Sequence, residues 1–185
     1  MPFFIEVGTC DFDTLEKLAQ NGWEGIMIEP VKEYFDKLVR YPQIHYENIV
    51  ISENSDEVEF HYIDPTIITS ENLNWLKGIG CINSQTGPML RNKDLPIYKN
   101  CIKENIKSTT LNKLCEKYNV TRIDFLKIDV EGYDLNVLKT IDLDKIHVQT
   151  IKIEHKHLDD TLIVEYLEQF NYIVWTEKND IYAIK

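Results

Sequence analysis

The feature that most constrains the fold is an alternation of short buried strands with amphipathic helices. Residues 3–7 and 25–29 are apolar runs typical of buried strands, and each is followed by apolar residues at helical spacing. The same order returns in the second half. Further strands are predicted from an apolar segment at 44–51, from a period-two alternation at 57–63, and at 123–128 and 148–153. Such an alternation produces βαβ units, so we predict an α/β fold with a mainly parallel sheet and helices on both faces.

Two segments at the end of the chain refine this prediction. Residues 172–176 and 181–184 both have strand character, and the stretch between them is too short for a helix. We therefore predict a terminal β-hairpin, which requires one strand to run antiparallel to the others. The length of 185 residues suits a single domain over 1–185.

Residues from about 64 to 108 interrupt the alternation. This stretch is rich in turn residues and has few periodic apolar runs. A long irregular segment inside a compact domain is usually functional or disordered, and Trp75, Met89 and Tyr98 favour partial order. We predict that it is an insertion that covers the substrate site.

Charge and composition exclude several classes of partner. The net charge of -11 disfavours nucleic acid and anionic lipid. One basic cluster could oppose this average, although a solvated surface explains it better: Arg91, Lys93, Lys99, Lys103 and Lys107. The opening MPFFIEVG lacks a signal-peptide pattern, and the four cysteines form no CxxC pair. We expect a soluble cytoplasmic protein with reduced thiols.

The ends of the first two strands predict a nucleoside ligand. Ligands of open α/β sheets bind beyond the carboxyl ends of the strands, where Gly8 and Glu29 lie. Gly8 lets a ligand approach the backbone, and Glu29 can accept hydrogen bonds from both hydroxyls of a ribose. Each residue alone could equally be a tight turn or a helix-start carboxylate. The phosphate-binding patterns GxGxxG and GxxxxGK[ST] are absent, which disfavours NAD and ATP.

Further acidic residues follow the next two strands of the predicted sheet. Asp129 and Glu131 end one strand, and Glu154 and His155 end the other. The two acids of the first pair could hold a cation, act as a base or bind a metal. His155 could act as a general base, as histidines near a cofactor often do, although a surface position is as consistent with the pattern.

The chain resembles the FkbM family of S-adenosylmethionine-dependent methyltransferases from about Phe3 to Glu154. The resemblance rests on three blocks, which read FFIEVGTCDFDTLEKL with NGWEGIMIEP, then STTLNKLCEKYNV, then IDFLKIDVEGYDLNVLKTID. It implies a Rossmann-like, doubly wound class I methyltransferase fold with a mostly parallel seven-stranded sheet. Related sequences often have Asp-Gly where this chain has Asp11-Phe12, so the path of that loop is expected to differ.

The resemblance also implies roles for individual residues. Glu6, Gly8 and Thr9 match the motif that holds the methionine part of the cofactor, and Asp11 lies in the same loop. Glu29 matches the acid that binds the ribose, and Asn48 and Ile49 fall where the third strand flanks adenine. Asp129 and Glu131 match the D-x-E-G motif beside the reacting centre.

The implied activity is methylation of a hydroxyl on a sugar, a glycan or a small natural product, with S-adenosylmethionine as cofactor. We expect His155 or Glu131 to be the base that removes the hydroxyl proton. A divalent metal held by Asp129, Glu154 and His155 is an alternative, since a hard cation would lower the pKa of a bound hydroxyl. A fold that binds the cofactor without catalysis and a nicotinamide-dependent oxidoreductase are rival functions. We expect neither a nucleic-acid nor a membrane partner, and a homodimer is compatible with the sequence.

Overall fold

The computed structural model describes residues 1–12, 14–54, 56–70, 73–82, 101–156 and 158–185. The strands, in chain order, are β1 (Phe3–Val7), β2 (Glu24–Ile28), β3 (Ile44–Glu47), β4 (Val50–Ile51), β5 (Glu57–Ile63), β6 (Gly80–Ile82), β7 (Cys101–Thr109), β8 (Arg122–Ile123), β9 (Phe125–Ile128), β10 (His147–Val148), β11 (Thr150–Glu154), β12 (Ile173–Glu177) and β13 (Asp180–Ile184). The helices are α1 (Glu16–Gln20), α2 (Lys32–Lys37), α3 (Pro65–Ser70), α4 (Leu111–Tyr118), α5 (Asp134–Leu138) and α6 (Asp160–Glu168), with a 3-10 turn at Asn74–Leu76.

The main sheet has seven strands within these residues, in the order β12-β13-β11-β9-β1-β2-β3. The five strands from β11 to β3 run parallel. Strand β13 runs antiparallel to both of its neighbours and forms a hairpin with β12. This arrangement confirms the prediction of an α/β fold with a mainly parallel sheet.

Helices cover both faces of the main sheet because the strand residues alternate between two apolar cores. One core packs Ile5 and Leu126 of the central strands against Leu114 of α4 and Ile163 of α6. The other core packs residues of the opposite face, such as Phe4 and Met27, against Ala19 of α1, and the neighbouring Leu15 and Leu18 extend it. The crossover helices of the predicted βαβ units therefore lie where a parallel sheet requires them.

A second sheet of four strands lies beside the main sheet in the described part of the chain, in the order β4-β7-β5-β6. The predicted strand at 57–63 is confirmed as β5. The apolar segment predicted at 44–51 divides between the sheets, since β3 belongs to the main sheet and β4 to the second. A short parallel pair, β8 with β10, lies outside both sheets.

The prediction of an irregular segment at about 64–108 is wrong for three of its described parts, which form the helix α3, the strand β6 and most of the nine-residue strand β7. Strand β7 escaped prediction because its exposed face carries Lys103, Asn105 and Lys107, so few apolar residues mark it. Met89, Tyr98, Arg91, Lys93 and Lys99 lie outside the described residues, and the covering role of this segment stays a prediction. Within the described residues, every helix is too short or too polar to cross a membrane.

Candidate active site

A cleft opens at the carboxyl edge of the parallel strands, between the main sheet and the second sheet. The empty space within it, open solvent included, is about 770 Å³. The main sheet contributes the ends of β1, β2 and β9, and the second sheet contributes residues of β4, β5 and β6. The residues that line it include Gly8, Cys10, Phe12, Glu29, Ile49, Val50, Ile51, Phe60, Gly78, Gly80, Ile82, Asp129, Glu131 and Tyr133.

Gly8 brings the loop after β1 into direct contact with the loop after β9. Its φ is +81°, and a Cβ atom at this position would lie 1.9 Å from the carbonyl oxygen of Asp129. The backbone N–H groups of Gly8 and Thr9 both donate to the carbonyl oxygen of Ile28, at 3.0 and 3.1 Å. A side chain at Gly8 is therefore excluded both by the backbone conformation and by the neighbouring loop.

Glu29 presents a buried carboxylate to the cleft. Its side chain is buried, and its two oxygens accept the N–H groups of Cys10 at 2.7 Å and Val31 at 2.8 Å. A carboxylate oxygen can accept more than one hydrogen bond, so each oxygen keeps capacity for a ligand hydroxyl. Burial outweighs these two hydrogen bonds and raises the pKa of Glu29 to about 7. The structure thus places Glu29 where the sequence predicts it.

Of the two residues predicted to flank adenine, Ile49 lines the cleft. Asn48 does not contact it within the described residues. Its side-chain N–H₂ group instead donates to the carbonyl oxygens of Glu29 and Pro30, both at 2.8 Å. Asn48 therefore holds the turn that carries Glu29, and its predicted contact with a ligand stays a prediction.

Glu6 and Thr9 also lie behind the cleft rather than in it. The alternation along β1 turns Glu6 towards α1, where it is fully buried and accepts the N–H of Leu15 at 3.0 Å. Glu6 also forms an ion pair with Lys127 at 3.2 Å. The Thr9 hydroxyl donates to the carbonyl oxygen of Ile28 at 3.2 Å. Both residues stabilise the loop after β1, so their predicted direct role in binding is corrected to an indirect one.

Asp11 lies in the loop that the resemblance assigns to the cofactor, and its direct contact with a ligand stays a prediction. Its carboxylate forms an ion pair with Lys77, while Glu6 satisfies the N–H of Leu15 at the start of α1. Its neighbours Cys10 and Phe12 line the cleft. Burial holds the pKa of the Cys10 thiol far above its usual range, so Cys10 is a neutral filler, as expected.

Three carboxylates form an acid cluster, defined here as Asp129, Glu131 and Glu154. One oxygen from each lies within 4.8 Å of the others. Burial and the charge of Asp129 raise the pKa of Glu131 to about 7 and that of Glu154 to about 8. Such a cluster can accept a proton near neutral pH or hold a hard cation.

Sequence reasoning missed Asp134, which shapes the loop of the acid cluster. Its buried carboxylate accepts the N–H groups of Val130 at 3.0 Å and Gly132 at 2.8 Å. These bonds enclose Glu131, whose φ of +57° is uncommon for a residue with a side chain. Helix capping does not predict this role, because a capping aspartate accepts N–H groups two or three positions after it, whereas Asp134 accepts those of residues before it.

His155 lies apart from the acid cluster. Its Nε2 is 3.2 Å from the carbonyl oxygen of Lys178, and its backbone N–H donates to the carbonyl oxygen of Asn179 at 2.8 Å. Successive residues at a strand end point to opposite sides, so Glu154 faces the cluster and His155 faces the hairpin. Of the predicted metal ligands Asp129, Glu154 and His155, the structure brings the first two together with Glu131, and His155 lies outside this group. His157 lies outside the described residues.

The fold and the cleft together are characteristic of one class of α/β protein. A parallel sheet with a glycine turn after its first strand and a buried acid after its second is typical of α/β proteins that bind nucleosides. A family model described as "Methyltransferase FkbM domain" matches residues 6–174. The chain belongs to this family of methyltransferases. Comparisons with curated proteins and with solved structures give no significant match.

Proposed function

We propose that the protein is an S-adenosylmethionine-dependent O-methyltransferase that acts on a hydroxyl of a sugar, a glycan or a small natural product. The observation that carries the proposal is the pairing of Gly8 with the buried carboxylate of Glu29 at one end of the cleft. Family membership supports the reaction class, since residues 6–174 match the FkbM methyltransferase domain.

The lining of the cleft fits this cofactor. Glu29 has acceptor capacity for a ribose diol, and the apolar side chains of Ile49, Val50 and Phe60 suit the faces of an adenine ring. The carboxylates of Asp129 and Glu131, which also line the cleft, favour a neighbouring positive charge. When bound, S-adenosylmethionine supplies a methyl group on a cationic sulfur.

Glu131 is the residue that we assign to proton removal from the acceptor hydroxyl. It lines the cleft, and its raised pKa of about 7 is close to the pH at which a general base is most effective. Asp134 holds the loop on both sides of Glu131 and so fixes the direction of the carboxylate. His155, the other base predicted from the sequence, faces the hairpin.

A metal-assisted reaction is the second candidate, and the acid cluster is the observation that favours it. A hard cation there would relieve the mutual repulsion of the three carboxylates and bind the acceptor oxygen. The test is thermal unfolding of the metal-free wild type and of the metal-free Glu154→Gln variant, each with and without added Mg²⁺ or Mn²⁺. A rise in Tm that this variant loses supports the metal, and an unchanged Tm favours Glu131 acting alone.

The proposed activity is tested by transfer of a labelled methyl group to panels of sugars, glycans and small hydroxylated compounds. We expect product carrying the label on oxygen, and a loss of about 10²- to 10⁴-fold in rate for Glu131→Gln. Glu116→Gln is a matched control, because Glu116 is an exposed residue of α4. Label on nitrogen or carbon, or an equal rate in Glu131→Gln, would contradict the proposal.

A further inference from the structure

Lys77 joins the loop after β1 to the chain segment that forms the opposite wall of the cleft. We call residues 73–82 the wall segment; it contains the 3-10 turn and β6. The Lys77 ammonium forms an ion pair with Asp11 and lies 5.6 Å from the centre of the Phe12 ring. It also lies 5.8 Å from the centre of the Tyr34 ring on α2. One cation therefore contacts a carboxylate and two aromatic rings, all from outside its own segment.

The backbone of Gly78 also approaches two side chains of the loop after β1 at this point. Gly78 has a φ of +84°, and a Cβ atom there would lie 3.7 Å from both the Cys10 sulfur and the Phe12 ring. Gly78, Cys10 and Phe12 all line the cleft. The contact made by Lys77 is thus immediately behind the surface that a ligand would touch.

The environment of this ion pair favours a measurable contribution. The side chains of Lys77 and Asp11 are 29% and 16% exposed, whereas those of the surface pair Lys32 and Asp36 are 73% and 54% exposed. Ion pairs shielded from water are screened less than surface pairs, and a cation over aromatic faces gains further attraction.

We propose that Lys77 is a positioning residue of the cofactor cleft, which holds the loop of Asp11 and Phe12 against the wall segment and so slows release of the bound nucleoside. The inference rests on the proposed function, because it assumes that the cleft holds S-adenosylmethionine or its product. It gives Asp11 a role that neither ligand contact nor helix capping supplies. The two sides of the cleft are joined by a charge interaction, and breaking it loosens the loop.

The test measures the dissociation rate of S-adenosylhomocysteine from the full chain by stopped flow. We expect Lys77→Ala and Asp11→Asn each to raise this rate about tenfold, and the double variant to add little, because both remove the same interaction. The association rate should change less than the dissociation rate. Lys77→Arg keeps the charge and should restore most of the wild-type behaviour.

Two controls keep the outcome interpretable. Lys32→Ala breaks an exposed ion pair on α2 and should leave the dissociation rate unchanged. Hydrogen exchange of the ligand-free protein should be faster at the amides of residues 9–15 in Lys77→Ala than in wild type or Lys32→Ala. If wild type binds no S-adenosylhomocysteine, the proposed function fails, and hydrogen exchange alone decides the role of Lys77. Unchanged dissociation and exchange in Lys77→Ala would overturn the inference.

Discussion

Glu29 combines burial with two backbone hydrogen bonds, and this combination makes ligand binding depend on pH. Its pKa of about 7 in the free protein means that a large fraction is protonated at neutral pH. The hydroxyl groups of a ribose donate to the ionised form and therefore lower this pKa on binding. We expect the affinity for S-adenosylhomocysteine to increase as the pH rises from about 6 to about 8, with proton release near pH 7.

Isothermal titration calorimetry in buffers of different ionisation enthalpy measures this proton release. Glu29→Gln keeps the size of the side chain but cannot ionise, so its residual binding should lack the pH dependence that Glu29 provides. An affinity that does not change with pH in wild type, or equal proton release in both proteins, would contradict the role of Glu29.

The buried side chain of Asp134 fixes the backbone on both sides of Glu131. Its oxygens satisfy two N–H groups that flank Glu131. A buried N–H group without a partner costs about 1–3 kcal/mol, so this loop depends on the carboxylate for its conformation. The left-handed backbone at Glu131 is therefore maintained by a neighbour three positions along the chain.

At the scale of elements, the contact between the loops after β1 and β9 determines the shape of the cleft. Gly8 and Gly22 have almost the same φ, +81° and +83°, but only Gly8 is crowded by another segment. An alanine at either site suffers the same backbone strain of about 1–2 kcal/mol. We expect Gly8→Ala to cost at least about 2 kcal/mol more than Gly22→Ala and to lose ligand binding, because its Cβ meets the Asp129 carbonyl.

Urea denaturation of the two variants provides the comparison, with binding of S-adenosylhomocysteine as the second readout. Gly22→Ala controls for the left-handed conformation, since no heavy atom lies within 4 Å of a Cβ built there. Equal losses of unfolding free energy would show that the two loops are not in contact.

The elements also show what the sequence could and could not predict. The apolar pattern located β1, β2 and β5 to within about a residue, because β1 and β2 are buried almost continuously and β5 buries largely alternate side chains. It did not predict that segment 44–51 divides, since the turn depends on Asn48 bonding to Glu29 and Pro30. Strand β7 also escaped prediction, because one of its faces is exposed and polar. Its hydrogen-bonding partners in β5 are distant in sequence.

The candidate site likewise contains residues that the sequence places correctly and residues whose partners it does not predict. Gly8, Glu29 and Asp129 reach the cleft as predicted, because the ends of parallel strands meet at one edge. Glu6 and Asp11 are directed elsewhere by Lys127 and Lys77, which are 121 and 66 residues away in the numbering. Local patterns place a residue on a strand end, but only the tertiary structure selects its partner.

At the scale of the whole molecule, two buried and two half-buried carboxyl groups link folding to pH. Burial raises the pKa values of Glu29, Glu131 and Asp134 to about 7 and that of Glu154 to about 8. The folded chain therefore binds more protons than the unfolded chain between the ordinary and the raised pKa values. This stabilisation is complete below the ordinary values of 4.5 for glutamate and 3.8 for aspartate, and it is lost as the pH rises through 7 to 8.

We accordingly expect the unfolding free energy of the ligand-free protein to decrease from about pH 5 to about pH 8, by up to about 1.4 kcal/mol per pH unit for each group. The net charge of -11 acts in the same direction, because repulsion grows as these groups ionise. Urea denaturation across this range measures the slope, and Glu29→Gln should reduce it. A stability that increases with pH over the same range would contradict this account of the acids.

The cleft of this FkbM-family protein is proposed to hold S-adenosylmethionine. Thermal unfolding with S-adenosylhomocysteine, NAD or ATP tests this binding. A ligand at one hundred times its Kd adds about 2.7 kcal/mol, which for a domain of this size raises Tm by about 5–10 °C. We predict that only S-adenosylhomocysteine produces this rise and that Glu29→Ala abolishes it. Stabilisation by NAD instead, or by none of the three, would contradict the proposal.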